Sequence, residues 1–127
     1  MGARSVGGSV KMRKELGKHL IVEVEGCDPK KLDDMKFVEE VLVAACEKAK
    51  ATMVSKAFHK FNPQGVTGII LLAESHISVH TWPEHRYAAI DIFTCGSTAD
   101  PWAALEYIKE KLNAKKMSVI ELRRGLT

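Results

Sequence analysis

Residues 71–84, LLAESHISVHTWPE, gather an acid–serine pair (Glu74, Ser75), two histidines four residues apart (His76, His80) and a Trp-Pro break (Trp82, Pro83). Three chemistries draw on such groups: a metal centre, a hydroxyl nucleophile, or a peptide bond that the chain breaks itself. In an extended strand the two histidines share a face but stand about 13 Å apart, too far for one ion. A helix would bring them together, but the branched Ile77 and Val79 oppose one. Zinc held by His80, Cys95 and an acid is the other metal arrangement open to the sequence. A Ser-His-acid hydrolase needs its serine on a sharp, glycine-flanked turn. Ser75 has Glu74 and His76 as neighbours and no such elbow.

The elements that must position these groups follow from periodicity. KHLIVEVEGC alternates from His19 to Glu25 as a half-buried strand. CDPKKLDD reads as a turn. From Asp34 to Lys50, Phe37, Val38, Val41, Leu42, Ala45 and Ala49 recur at three and four, the spacing of one helix face, with Cys46 beside it as a small buried hydrophobe. ATMVSKAFHKF alternates again, NPQGVTG is a loop, VTGIILLA suits a central strand, and HISVH and RYAAIDIFTC continue as strands. In GSTADPWAALEYIKEKL, Asp100 is the N-cap and Pro101 the first helical residue; Trp102, Leu105, Ile108 and Leu112 form its stripe. KKMSVIELRR closes as a strand. This order predicts an α+β two-layer sandwich, with an antiparallel sheet and both helices on one face. The other sheet face is left apolar and open. A second copy would cover it, giving a dimer of four layers, αββα.

The 127 residues suit one domain. The formal charge of +3 is mild and resides largely at the two ends. Neither basic cluster has interleaved aromatics or a nucleic-acid motif, so a solvated surface is expected and no nucleic-acid partner. No apolar run reaches the roughly 18 residues of a membrane span, and the start lacks the apolar stretch of a signal peptide. The expectation is a cytoplasmic protein with a flexible basic arm over about residues 1–16. Cys27, Cys46 and Cys95 are an odd number without a CxxC pair, which argues against a disulfide framework or a zinc ribbon.

The stretch FHKFNPQGVTGIILLAESHISVHTWPEHRYAAIDIFTCG closely resembles the bacterial and archaeal S-adenosylmethionine decarboxylase proenzymes, small pyruvoyl-dependent enzymes of spermidine synthesis. The likeness extends from about Gly17 to the helix at DPWAALEYIKEKL. It implies self-cleavage between Glu74 and Ser75, giving a β chain of residues 1–74 and an α chain of residues 75–127. Ser75 would become a pyruvoyl group that forms a Schiff base with the substrate, with no pyridoxal phosphate and no metal. His80 matches the base for processing, Thr67 a hydroxyl that assists it, and Cys95 the proton donor in decarboxylation. Phe58 and Phe61 match the region that contacts adenine, Glu84 the acid that holds the ribose, and Glu23 an N-terminal strand acid at the substrate. The resemblance further implies a homodimer of cleaved protomers with sites shared across its interface.

Two positions depart from the family pattern. Thr67 stands where serine is common, and Arg86 where glycine is common. The added positive charge of Arg86 keeps open a pyruvoyl-dependent arginine or ornithine decarboxylase. A reading of another class is an uncleaved, non-catalytic or metal-binding protein using His80 and Cys95. Without the resemblance, Phe58 and Phe61 are core or interface residues, Glu84 a surface acid, His80 a hydrogen-bonded histidine and Cys95 an inert thiol. His19 and His59 keep that bland reading, Trp82 is packing, and His76 has no role.

Overall fold

In the computed structural model, residues 13–127 are described, and six stretches of alternating side chains form strands. These are β1 (Gly17–Glu25), β2 (Met53–Lys60), β3 (Val66–Leu72), β4 (His76–Trp82), β5 (Tyr87–Cys95) and β6 (Lys116–Arg124). They form one sheet in the order β2-β3-β4-β5-β1-β6, with every neighbouring pair antiparallel. The α+β architecture expected from the sequence is the one observed.

Three helices cover one face: α1 (Pro29–Leu32), α2 (Met35–Lys48) and α3 (Pro101–Lys111). Against α2 and α3 lie Leu20, Val22, Val24, Ile70, Ile77, Val79, Ile90 and Ile92, met by Val38, Val41, Leu42, Ala45, Ala104, Leu105 and Ile108. Burying each of the larger side chains stabilises the fold by about 1.5–3 kcal/mol. The caps are those the sequence offers. Asp34 accepts from the Phe37 N–H at 3.0 Å, and Asp100 from the Ala103 N–H at 3.1 Å.

The structure differs from the sequence reading in three places. The segment read as a turn holds α1, because Pro29 starts it and Asp28 accepts from the Lys30 N–H. Trp102 leaves the buried stripe of α3; its indole N–H needs a partner and donates to Glu121 at 2.8 Å, while Pro101 and Ala104 take its place inside. The expected arm also ends earlier. Lys14 and Thr127 exchange backbone hydrogen bonds, and the Leu16 N–H donates to the Arg124 carbonyl at 2.9 Å, so residues 13–16 run along the C-terminal segment. The rest of the arm, residues 1–12, lies outside the described residues.

Among the described residues, the second sheet face carries no helix. Ile21, Leu71, Ile120 and Leu122 stand on it, 38%, 43%, 60% and 44% exposed, respectively. No described helix is long and apolar enough to cross a membrane.

Candidate active site

The predicted reactive groups lie on this open face, and the ladder fixes where each one falls. Side chains alternate between faces along a strand, so the partners of His80 extend across the sheet as one row: His59 on β2, Thr67 on β3, His80, Ala89 on β5 and Glu23 on β1. A row near the other end of the strands holds Leu71, His76, Phe93, His19 and Leu122. Beyond it lie Cys95 and the turn that joins β3 to β4.

That turn contains the acid–serine bond. The Leu72 N–H donates to the Ser75 carbonyl at 2.9 Å and closes it, leaving Ala73 and Glu74 exposed. The Cys95 thiol donates to the Glu74 carbonyl oxygen at 3.6 Å. Cys95 ends β5, so a residue 21 positions later in the chain reaches the carbonyl of the Glu74–Ser75 peptide. Burial, then the Glu74 carboxylate, pushes this thiol up from its ordinary pKa, with Arg124 pulling the other way. At neutral pH it holds its proton, as a donor must.

Thr67 and His80 form the second cluster. Thr67 Oγ1 and His80 Nδ1 are hydrogen-bonded at 2.9 Å, so the methyl that distinguishes threonine from serine does not prevent the contact. Trp82 lies beside His80, with ring centroids 6.4 Å apart, and Tyr87 beside Trp82 at 5.3 Å. The Tyr87 hydroxyl donates to Glu23, which pushes the phenol up to about 12. Phe61 leaves β2 at this end, edge-on to His59 at 4.6 Å. Its loop is pinned from below. The Phe61 N–H donates to the Gly65 carbonyl, and the Gly65 N–H to Asp33, whose carboxylate also pairs with Lys60 at 3.0 Å. The Gly65 N–H, then Lys60, holds Asp33 below the usual carboxylate range. Glu84 lies in the single 3-10 turn Pro83–His85 that follows β4.

Not all the predicted residues come together. From His76 to His80 the strand carries the Thr67–His80 pair about 13 Å away from the start of β4, where Ser75 stands. Within one chain, His80 is therefore at the wrong end of the strand from Ser75 and Cys95. The same separation removes a zinc site built on His80 and Cys95 of one protomer. Among the described residues no group of three metal-ligating side chains is gathered. Phe58 faces the helix side, where its ring covers Gly68; a Cβ on Gly68 would stand 2.1 Å from it. Arg86 adopts the left-handed conformation at φ 52° that glycine would supply more easily, and its carbonyl accepts from the Cys27 N–H.

Sequence reasoning passed over a polar chain beside Cys95. His19 Nε2–H donates to Asp91 at 2.9 Å, Arg124 donates to His19 Nδ1 at 3.3 Å, and the Arg124 guanidinium lies 4.6 Å from the centre of the Phe93 ring. His76 touches the same group, its ring 6.1 Å from that of His19; burial, then His19, pushes its pKa down. The polar positions of β1 and β5 gave the signal, because His19 and Asp91 fall on the face that also carries His76 and His80. Trp82, read as packing, is 40% exposed on that face.

Fold and site together define a two-layer α+β protein whose unpartnered sheet face holds a thiol against the carbonyl of an acid–serine bond. Residues 18–125 match the family model described as S-adenosylmethionine decarboxylase. The chain is 47% identical over 112 residues to the S-adenosylmethionine decarboxylase proenzyme of Clostridium kluyveri, covering 88% of this chain and 89% of that one. It is 49% identical over 111 residues to the proenzyme of Caldicellulosiruptor saccharolyticus, covering 87% and 90%. The crystal structure of the adenosylmethionine decarboxylase from Aquifex aeolicus superposes with a TM-score of 0.85 at 38% identity, over 90% of this chain and 94% of that one. The chain belongs to the S-adenosylmethionine decarboxylase family. Membership favours decarboxylation of adenosylmethionine over the arginine- or ornithine-directed reading and over a non-catalytic or metal-binding one.

Proposed function

We propose that the chain cleaves itself at Glu74–Ser75 and then, as a homodimer, decarboxylates S-adenosylmethionine through a pyruvoyl group made from Ser75. The observation that carries this reading is the Cys95 thiol against the Glu74 carbonyl, in a chain so similar to proteins named as proenzymes. Decarboxylase activity follows from the family, and the cleavage, the prosthetic group and the assembly are proposed.

Self-cleavage needs a hydroxyl next to an accessible carbonyl that is already polarised. The turn offers both, since the Glu74 oxygen accepts from Cys95 and Ser75 is the next residue. Attack of Ser75 Oγ on the Glu74 carbonyl carbon moves the acyl group from nitrogen to oxygen. A base then removes the Ser75 α-hydrogen, and the Glu74 carboxylate leaves from the β-carbon. The dehydroalanine that remains at the new N-terminus tautomerises to an imine, and water replaces its nitrogen as ammonia. A pyruvoyl group results, with one new carboxylate on Glu74.

His80 is the base in this scheme, and a base must come within about 3 Å of its proton or act through a single water. A base on the far end of the same strand cannot do this. A second copy laid sheet to sheet, with its strands reversed, would bring its Thr67–His80 pair over the first copy's Ser75 and Cys95. The exposed apolar side chains of that face supply the reason to associate. Two-fold symmetry then makes two equal composite sites.

The pyruvoyl carbonyl supplies an electron sink for loss of carbon dioxide from an amino acid. The chain's own residues do the rest. Cys95 holds a proton at Sγ and gives it to the substrate carbon that has lost its carboxylate. Phe61, with Trp82 nearby, offers an aromatic surface for the adenine and the sulfonium. Glu84 accepts from the ribose hydroxyls, and Glu23, bonded to Tyr87, adds negative charge for a cationic ligand. Phe58 supports this surface from beneath the sheet.

Carbon dioxide release from carboxyl-labelled S-adenosylmethionine, arginine and ornithine tests the reading. Release from S-adenosylmethionine alone is expected. Release from arginine or ornithine in its place would overturn the substrate assignment.

A further inference from the structure

The Asp91–His19–Arg124 chain has no part in the scheme above, yet its geometry is tightly specified. A guanidinium only donates, so His19 Nδ1, which faces Arg124, must carry a lone pair. His19 Nε2 then bears the hydrogen and donates it to Asp91. Both ring nitrogens are thus committed, the imidazole is fixed in its orientation, and Arg124 is held from behind. In front, its guanidinium lies on the Phe93 ring.

Gly17 makes the approach to Cys95 possible. In the ladder it lies between the two residues, paired with Cys95 on one side and Arg124 on the other. A Cβ at this position would stand 2.8 Å from the Phe93 ring and 3.0 Å from the Cys95 sulfur. Without one, Gly17 puts no side chain of its own between its two ladder partners, Cys95 and Arg124.

We propose that Arg124, anchored by Asp91 and His19 and reaching across Gly17, is a positioning residue that sets a fixed positive charge beside Cys95 and so governs how readily the thiol releases its proton. The inference rests on the functional reading above and deepens it. The groups that face the thiol divide by sign. Glu74, from the β3–β4 turn, opposes ionisation, and Arg124, from β6, favours it. His76 on β4 and His19 on β1 lie on the same face, Asp91 is bound to His19, and Lys18 belongs to the opposite face, beside Thr94. When Cys95 passes its proton to the substrate carbon, the thiolate left behind is stabilised by Arg124 until water returns the proton.

The test is the rate of Cys95 alkylation by iodoacetamide from pH 6 to 11, read by peptide mass mapping on the purified protein. Cys27 and Cys46 are 0% and 3% exposed and serve as internal controls. In Arg124→Met the midpoint of the profile should rise, with alkylation at pH 8 slower by about threefold to tenfold and the high-pH plateau unchanged. His19→Asn, which releases the arginine without removing it, should shift the midpoint less and in the same direction. Arg124→Lys should recover part of the shift. An unmoved midpoint in Arg124→Met, or a lowered high-pH plateau with the midpoint unmoved, would overturn the assignment, because the latter reports access alone. Decarboxylation is assayed on the same preparations. A shifted midpoint in a chain that releases no carbon dioxide would sink the functional reading and leave the Arg124 assignment standing. An unmoved midpoint in an active enzyme would do the reverse.

Discussion

Co-expression of two inactive variants, Ser75→Ala and His80→Ala, separates a composite site from one contained in a single chain. The structure sets the terms. Four residues of extended strand, at about 3.3 Å each, place the His80 backbone about 13 Å from that of His76, and a proton-transferring base must come within about 3 Å. Each variant alone should therefore remain at full length. In a mixed dimer one site combines the intact Ser75 of one chain with the intact His80 of the other, while the second site lacks both. With equal expression and random pairing, about half of the dimers are mixed, and about half of the His80→Ala chains, or a quarter of all chains, should be cut. The Ser75→Ala chains should never be cut. Different tags on the two chains allow intact-protein mass spectrometry to count each product. If pull-down through one tag recovers the other chain but no His80→Ala fragment ends at Glu74, the shared-site argument is refuted.

Four further outcomes follow from the same geometry. The wild-type chain should appear by intact mass as residues 1–74 and a blocked 75–127, and a single full-length mass in the folded protein would contradict the processing scheme. Leu71→Lys combined with Ile120→Lys places charge on the open face, so size-exclusion chromatography should show monomers and cleavage should stop. Arg86→Gly relieves a left-handed residue at φ 52° and should stabilise the fold by about 0.5–1 kcal/mol in urea denaturation, whereas a loss of stability would show the conformation is unstrained. Burial pushes the Cys27 thiol up to about 11 from a reference of 9.0, so between these values the unfolded chain ionises and the folded one does not; stability should fall as pH rises through 9 to 11, and Cys27→Ala should remove that part of the fall.

Much of this fold can be read from the chain because alternation and caps are local. His19 to Glu25 alternates and forms a strand, and Asp100 with Pro101 starts a helix. That His76 and His80 share one face, too far apart for one ion, also needs only the strand repeat. What could not be read depends on register and on neighbours distant in sequence. Nothing local says that Cys95 meets the Glu74 carbonyl, since the contact needs β3, β4 and β5 paired in one particular register. Nor does the pattern around Phe58 tell which face it takes. Gly68 opposite leaves room for the ring on the helix side. Trp102 departs from its stripe for the sake of one hydrogen bond to β6. The resemblance supplied roles for His80 and Thr67; the strand repeat already carries His80 away from Ser75, but only the register shows that Thr67 goes with it.

The strand order has a mechanical consequence for a chain cut after residue 74. The first piece would keep β1, β2 and β3, and the second β4, β5 and β6, yet β1 is seated between β5 and β6. The pieces would be interleaved, joined by both ladders of β1 and by the β3–β4 ladder. A single broken backbone link would thus leave the native shape in place while removing the tether that brings the halves together. Refolding would change from a unimolecular search to an encounter between two molecules, so apparent stability would depend on concentration. Maturation of this kind would be a one-way passage: the fold assembles as one chain and afterwards persists as two.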